Sequence, residues 1–345
     1  MSIVCAAQST TYHFSIFVKP SLARNMSTKT APSGLTIQSQ GGPIKILAFH
    51  SYTSNAANFS KRLGALRKTL APVATLHFVQ APITVPPMLL EEGQEPPIED
   101  ESTPIEDTHR SWWKSTDLTE EEMKSVKITE EDEHFGPPQK YVGLEKSVDL
   151  VNRIVEAEGP FHGVLGFSQG TTMAGIMVSA FEDPARLPGF KLPPSQGRLR
   201  FCIAVSGFKA RDKNLTSLFP ERGIQTPVLH VLGRNDYITD KHRTGTLVNA
   251  FASTSRVVYH DGGHLTPTTG PWRKFFLDFI SQFRDEHDGD WRGIAGPEVD
   301  SHLEHKEESQ KAETENDLRE DAEAERREAW RGAQKDGAST GKSSL

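Results

Sequence analysis

The 345-residue chain holds only two cysteines, Cys5 and Cys202, far apart and in no C-x-x-C pair. That excludes a disulfide framework and a thiolate metal site, and it makes a reducing compartment, the cytoplasm, the default expectation. Long apolar runs are missing too. None approaches the roughly 20 residues that a membrane helix needs, so no membrane span is expected. No basic stretch is interleaved with aromatics and the net charge is −7, which sets a nucleic-acid surface aside. From Met1 through Leu90 there is no Asp or Glu, while Lys19, Arg24 and Lys29 stand among many Ser and Thr. An acid-poor leader of this kind reads as a mitochondrial transit segment, as a disordered extension over residues 1–40, or as sequence upstream of a start at Met26.

What is present points to one domain with polar additions, because the apolar residues concentrate between about 41 and 285. Strand-length apolar runs occur at "IKILAFH" (44–50), "TLHFVQAP", "FHGVLGF", "RLRFCIAVSGF" (198–208), "TPVLHVLG" (226–233) and "SRVVYH" (255–260). Helical spacing appears between them in "FSKRLGALRKTL", "YVGLEKSVDLVNRIVEAEGP", "TTMAGIMVSAFED" and "GPWRKFFLDFISQF". Strands alternating with helices predict a doubly wound, mostly parallel α/β sheet with helices on both faces. An acidic, Pro-rich insertion spans 86–138, with no amphipathic period. Trp112 and Trp113 sit inside it, either pinning the insertion to the body or forming a cover over the site. Beyond about 285 the composition shifts again: "EHKEESQKAETENDLREDAEAERREAWRGAQK" is charged on every face, with Leu318 and Trp330 almost its only large apolar residues, and reads as a disordered or isolated helical, solvated tail.

Chemistry concentrates at Gly166-Phe167-Ser168-Gln169-Gly170. This fits G-x-S-x-G, with a strand candidate before it and a helix candidate after it, the context of a nucleophile elbow. A serine hydroxyl needs an adjacent base, and a neutral histidine needs a carboxylate to fix its tautomer. Asp236 follows the strand "TPVLHVLG" directly; Asp240, just behind it, and Asp212, after "AVSGF", are the other choices. His264 closes "HDGGH", where two glycines free the loop to swing an imidazole over the sheet. His260 would point along the wall, and His230, inside a strand, reads as a hydrogen-bonded core residue. An oxyanion requires fixed N–H donors. Gln169 N–H follows the nucleophile, and the backbone of Tyr52, in the loop "FHSYTSN", is the second candidate. Trp112, Trp113, Phe167 and Leu265 are candidate contacts for a hydrophobic acyl group.

With these elements in order, the chain resembles the fungal serine hydrolases often called FSH hydrolases. The resemblance lies in "ILAFHSYTSNAANFSKRLGALRKTL", "FVQAP", "SWW", "YVGLEKSVDLV", "GPFHGVLGFSQGTTMA", "AVSGF", "HVLGRNDYI" and "HDGGHLTP", roughly residues 44 to 283. It implies an α/β-hydrolase fold, a Ser168, Asp236, His264 triad acting on small-molecule esters or thioesters, and no metal or organic cofactor. Some members of that family look like thioesterases that release polyketide chains, which implies an acyl carrier or polyketide synthase as partner and a place in secondary metabolism. An acyltransferase would use the same acyl-enzyme. A hydrolase-fold protein that binds ligand without turnover is the alternative from another class. The family usually has His-Gly after the first strand, where this chain has His50-Ser51, and a glycine there adopts backbone angles that serine adopts only with strain.

Overall fold

The computed structural model describes residues 43–87, 102–129, 132, 137–220, 223–284 and 289–297. The expected leader, residues 88–101 of the insertion, and the tail from 298 onward with Leu318 and Trp330 lie outside the described residues.

Ten strands are described: β1 (Ile44–Phe49), β2 (Ala74–Val79), β3 (Ile83–Thr84), β4 (Arg110–Ser111), β5 (Lys114–Asp117), β6 (Gln139–Val142), β7 (Gly163–Phe167), β8 (Phe201–Val205), β9 (Val228–Gly233) and β10 (Ser255–His260). The helices are α1 (Ala56–Arg62), α2 (Gly64–Leu70), α3 (Glu120–Ser125), α4 (Leu144–Glu158), α5 (Gln169–Glu182), α6 (Lys241–Ala250) and α7 (Gly270–Ser281). Six strands form one sheet in the order β10-β9-β8-β7-β1-β2, parallel at every pairing. The crossing back from β2 to β7 makes β1 and β7 neighbours at the centre, and their carboxyl ends open the crevice where such sheets carry function. This is the doubly wound, parallel α/β sheet that the alternating runs predict.

Side-chain alternation explains the two-faced core. In β1, Leu47 and Phe49 join one apolar cluster with Val148, Val151 and Ile176 from α4 and α5. Ile46 and Ala48 join the other with Phe59, Leu66 and Phe276 from α1, α2 and α7. β7 and β8 are buried at every position.

Local structure departs from the sequence pattern in several places. The run "FSKRLGALRKTL" forms two helices, with Leu63 at φ −89° and ψ 13° between them. Tyr141 and Val142 belong to β6, not to the following helix, because Gly143 turns the chain at φ 89°. Within the acidic insertion, Thr119 and Glu122 form a reciprocal capping box that starts α3. Trp291, placed in the tail by composition, is buried against Phe279 and Phe283, and Arg256 Nη1 donates to its carbonyl at 2.7 Å.

Candidate active site

Ser168 stands between the end of β7 and the first residue of α5, at φ 55° and ψ −122°. A non-glycine residue held there costs on the order of 1–3 kcal/mol and persists only where its surroundings enforce it. The flanking glycines show how they do so. A Cβ at Gly166 would lie 2.3 Å from Gly170 O, and one at Gly170 would lie 2.1 Å from Phe49 O. Only two bare backbones let α5 press this close to β7 and β1, so the G-x-S-x-G spacing is a packing requirement. Ser168 N–H still bonds Val205 O at 3.0 Å, which keeps the turn anchored to the sheet.

Asp236 and His264 arrive on the loops after β9 and β10. His264 Nδ1 and Asp236 Oδ2 are 2.8 Å apart. Asp236 is buried and also accepts from the N–H groups of Ile238 (3.0 Å) and Thr239 (2.8 Å) and from Thr239 Oγ1 (2.8 Å). Burial pushes its carboxyl up, but the bonds from His264 and Thr239 outweigh that and hold it below its usual value. The two loops brace each other: Asn235 N–H donates to Gly262 O at 3.3 Å and Asn235 Nδ2 to Asp261 O at 2.6 Å. The other aspartates have local duties. Asp240 caps α6 by accepting from His242 and Arg243 N–H, and Asp212 accepts from Asn214 and Tyr141 N–H. Buried His230 meets Ser255 Oγ at 3.0 Å, and His260, at the end of β10, packs edge-on against Trp272.

The loop after β1 supplies the opposite side. Gln169 opens α5, so its N–H has no acceptor within the helix. Tyr52 lines the same cavity as Ser168. The left-handed residue of this loop is Thr53, at φ 53°, while Ser51 carries no positive φ. The strain expected for serine after His50 is therefore absent. His50 is fully buried and holds the loop: its Nε2 accepts from Ala81 N–H (3.1 Å), leaving the proton on Nδ1 for Ser51 O (2.8 Å). Burial is the main force lowering its pKa to about 4.

A cavity of about 980 Å³ is lined by Ser168, His264, Phe167, Trp113, Tyr52 and Gln169 among others. Two of the expected contacts are not on its wall. Trp112 is wholly buried, its Nε1–H donating to His50 O at 2.8 Å and its ring edge-on to Phe49, so it pins the insertion to the body. Leu265 turns toward solvent and is 41 % exposed. Trp113 does both jobs: it lines the cavity and stacks on Tyr141 with ring centres 4.3 Å apart. Sequence reasoning missed Thr239, which the D-x-x-T spacing after Asp236 could have flagged as a side-chain turn. It also missed the Gln169 side chain, whose Oε1 accepts from Ser111 Oγ and Trp112 N–H, both at 3.1 Å; no local signal announces that bond. Among the described residues no group of three or more His, Cys, Asp or Glu could hold a metal ion, and no helix is long and apolar enough to cross a membrane.

Comparison with known proteins places this geometry in context. The family described as "Serine hydrolase (FSH1)" matches residues 40–276. "Esterase OVCA2" of Danio rerio is 31% identical over 243 residues, covering 70% of this chain and 98% of that protein. The protein of the same name from Homo sapiens is likewise 31% identical, over the same shares. Among solved structures, Zea mays acyl-protein thioesterase 2 is similar at 17% identity and a TM-score of 0.45, over 72% of this chain and 97% of its own.

Proposed function

The chain belongs to the serine hydrolase (FSH1) family, and from that premise we propose that it cleaves carboxylic esters or thioesters of a hydrophobic acyl group through an acyl-enzyme on Ser168. One observation carries the reading: His264 Nδ1 lies 2.8 Å from Asp236 Oδ2, and Ser168 and His264 line one cavity. With Nδ1–H given to the carboxylate, Nε2 keeps its lone pair and serves as base. It takes the proton of Ser168 Oγ as that oxygen attacks the acyl carbonyl. The N–H groups of Gln169 and Tyr52 meet the oxyanion. The imidazolium returns the proton to the departing alcohol or thiol. Water, deprotonated by the same nitrogen, then attacks the acyl-enzyme, releasing the acid and restoring Ser168.

The names of the OVCA2 esterases support an ester as substrate, and Phe167 and Trp113 on the cavity wall support an apolar acyl chain. The test is a fluorophosphonate probe applied to the folded protein and to Ser168→Ala, with the modified peptide mapped by mass spectrometry. Labelling confined to Ser168, together with turnover of acyl esters or thioesters, is expected. A well-folded protein that takes no label would overturn the reading in favour of a ligand-binding protein.

A further inference from the structure

The cavity that holds Ser168 runs against the charge of the whole chain. The protein carries a net −7, yet among the described residues that line this cavity are three arginines, Arg62, Arg211 and Arg243, and one carboxylate, Asp240. Arg211 comes from the loop after β8 and Arg243 from the first turn of α6, and both side chains are half-buried. We propose that Arg211 and Arg243 form an anion subsite, so that the substrate carries a carboxylate or phosphate group in addition to its scissile acyl carbonyl. This rests on the serine hydrolase reading and narrows its substrate class.

Both guanidiniums are set in place by the fold. Arg243 Nη1 donates to Ile238 O at 2.9 Å, and the group lies 5.0 Å over the Phe208 ring. Arg211 Nη2 donates to Pro137 O, and the backbone N–H of Arg211 donates to Tyr141 Oη at 2.8 Å. The pKa of Arg243 is pulled below its ordinary value first by burial and then by the positive charge of Arg211, so the two cations lie close enough to repel each other. Asp240 and Asp236 act on Arg243, and Asp132 and Asp117 on Arg211, in the opposite sense. An entering anion relieves the repulsion between the arginines, and the planar fork of each matches a carboxylate or phosphate. Concave walls of one sign also concentrate ligands of the opposite sign.

A purely structural Arg243, holding Ile238 and stacking on Phe208, would affect charged and neutral substrates alike. The discriminating readout is therefore a ratio. Two matched pairs provide it: p-nitrophenyl hydrogen adipate against its methyl ester, and an acyl-coenzyme A against the N-acetylcysteamine thioester of the same acyl group. We expect the wild-type protein to favour the charged member of one pair by about tenfold or more in kcat/KM, and added salt to erode the preference. The first pair responds if the anion sits on the acyl side, the second if it sits on the leaving group. Arg243→Met and Arg211→Met should each bring the ratio down severalfold, and Arg243→Lys should keep part of it. Equal handling of both members in both pairs, or a ratio that survives both substitutions in variants with normal melting curves, overturns the subsite. If the wild type turns over no member and takes no fluorophosphonate, the hydrolase reading fails instead. In that case calorimetric binding of adipate, weakened in Arg243→Met, would still support the subsite, and no binding would overturn it.

Discussion

The two sides of the site are held by different parts of the chain. Asp236 and His264 sit on loops that leave neighbouring strands and bond to each other, through Asn235 with Gly262 and Asp261, and to Thr239 close by. The opposite side, with the loop after β1 and the start of α5, is clamped by the insertion. Arg110 N–H donates to Ser54 O at 3.0 Å, Asn55 Nδ2 to Thr108 O at 2.8 Å, and Trp112 Nε1–H to His50 O at 2.8 Å. The proposed base side thus comes with the sheet, whereas the proposed oxyanion side is completed by the segment whose composition looks least like a core. Damage to the two sides should therefore differ in kind: electronic on one, positional on the other.

The largest effect belongs to the base side. Asp236→Asn keeps the shape but offers Nδ1 the wrong partner, and a drop in kcat of about 10³- to 10⁴-fold is expected. Steady-state kinetics with unchanged melting would show it; a loss below tenfold would remove Asp236 from the triad.

Next is acid sensitivity on the other side. His50 is held neutral with its pKa lowered to about 4 from 6.5, chiefly by burial. Between those values the unfolded chain binds a proton that the folded chain refuses, so stability falls as pH drops from about 6.5 to about 4. At 1.36 kcal/mol per pKa unit, the loss from this one group amounts to about 3 kcal/mol. His230 and His260, with pKa lowered to about 3 and about 4 mainly by burial, push in the same direction. Denaturant unfolding at pH 7 and 4.5 separates the contributions: His50→Gln should lose less stability on acidification than the wild-type protein. Equal losses would show that His50 does not carry the effect.

Smaller again is the clamp itself. Gln169→Leu keeps the backbone N–H offered to the oxyanion but strips the acceptor from Ser111 Oγ and buried Trp112 N–H. Leaving a buried donor unmet costs about 1–3 kcal/mol. A lower melting temperature should be accompanied by a fall in kcat. Lower stability with intact kcat would break the comparison, because the insertion would then be a structural ornament rather than a support for the oxyanion side.

How much of this was legible in the sequence follows from the range of the interactions. The elbow could be read because its requirements are local: Gly166 and Gly170 lie within two residues of Ser168 and are demanded by backbone contacts under 2.5 Å. Position directly after a strand favours Asp236 over Asp240, and the structure brings Asp236, not Asp240, to His264. The helix α6 is absent from the helical runs read in the sequence because "KHRTGTLVNA" has weak amphipathicity and an interior glycine, Gly245. The choice between Trp112 as pin and as cover depends on partners 62 and 57 residues away, His50 and Gln169. Periodicity carries no information about such pairings. The family's His-Gly at this point leads to the expectation of strain at Ser51, but the positive φ of the turn falls at Thr53.

The finest test of the base side is Thr239. Its Oγ1 lies 2.8 Å from Asp236 Oδ2, 3.3 Å from His264 Nδ1 and 3.1 Å from Ser206 O. One hydroxyl thus touches the carboxylate oxygen that orients the imidazole, while the Thr239 N–H holds the other oxygen. Valine has the same shape without the hydroxyl, so Thr239→Val keeps both backbone bonds to Oδ1 and removes the hydroxyl's contacts with Oδ2, Ser206 O and His264 Nδ1. Losing a single bond to a charged acceptor corresponds to about 1.5–3 kcal/mol. Much of that returns when His264 keeps its own bond, so a reduction in kcat of about tenfold is expected, well short of the Asp236→Asn loss. Thr239→Ser, which retains the hydroxyl and loses a methyl group, should recover most of the rate. That pairing distinguishes positioning from packing: if the threonine mattered only by filling space, valine would be the better replacement and serine the worse. The opposite order would assign the alignment of His264 to a hydrogen bond that the loop after β9 supplies from within itself.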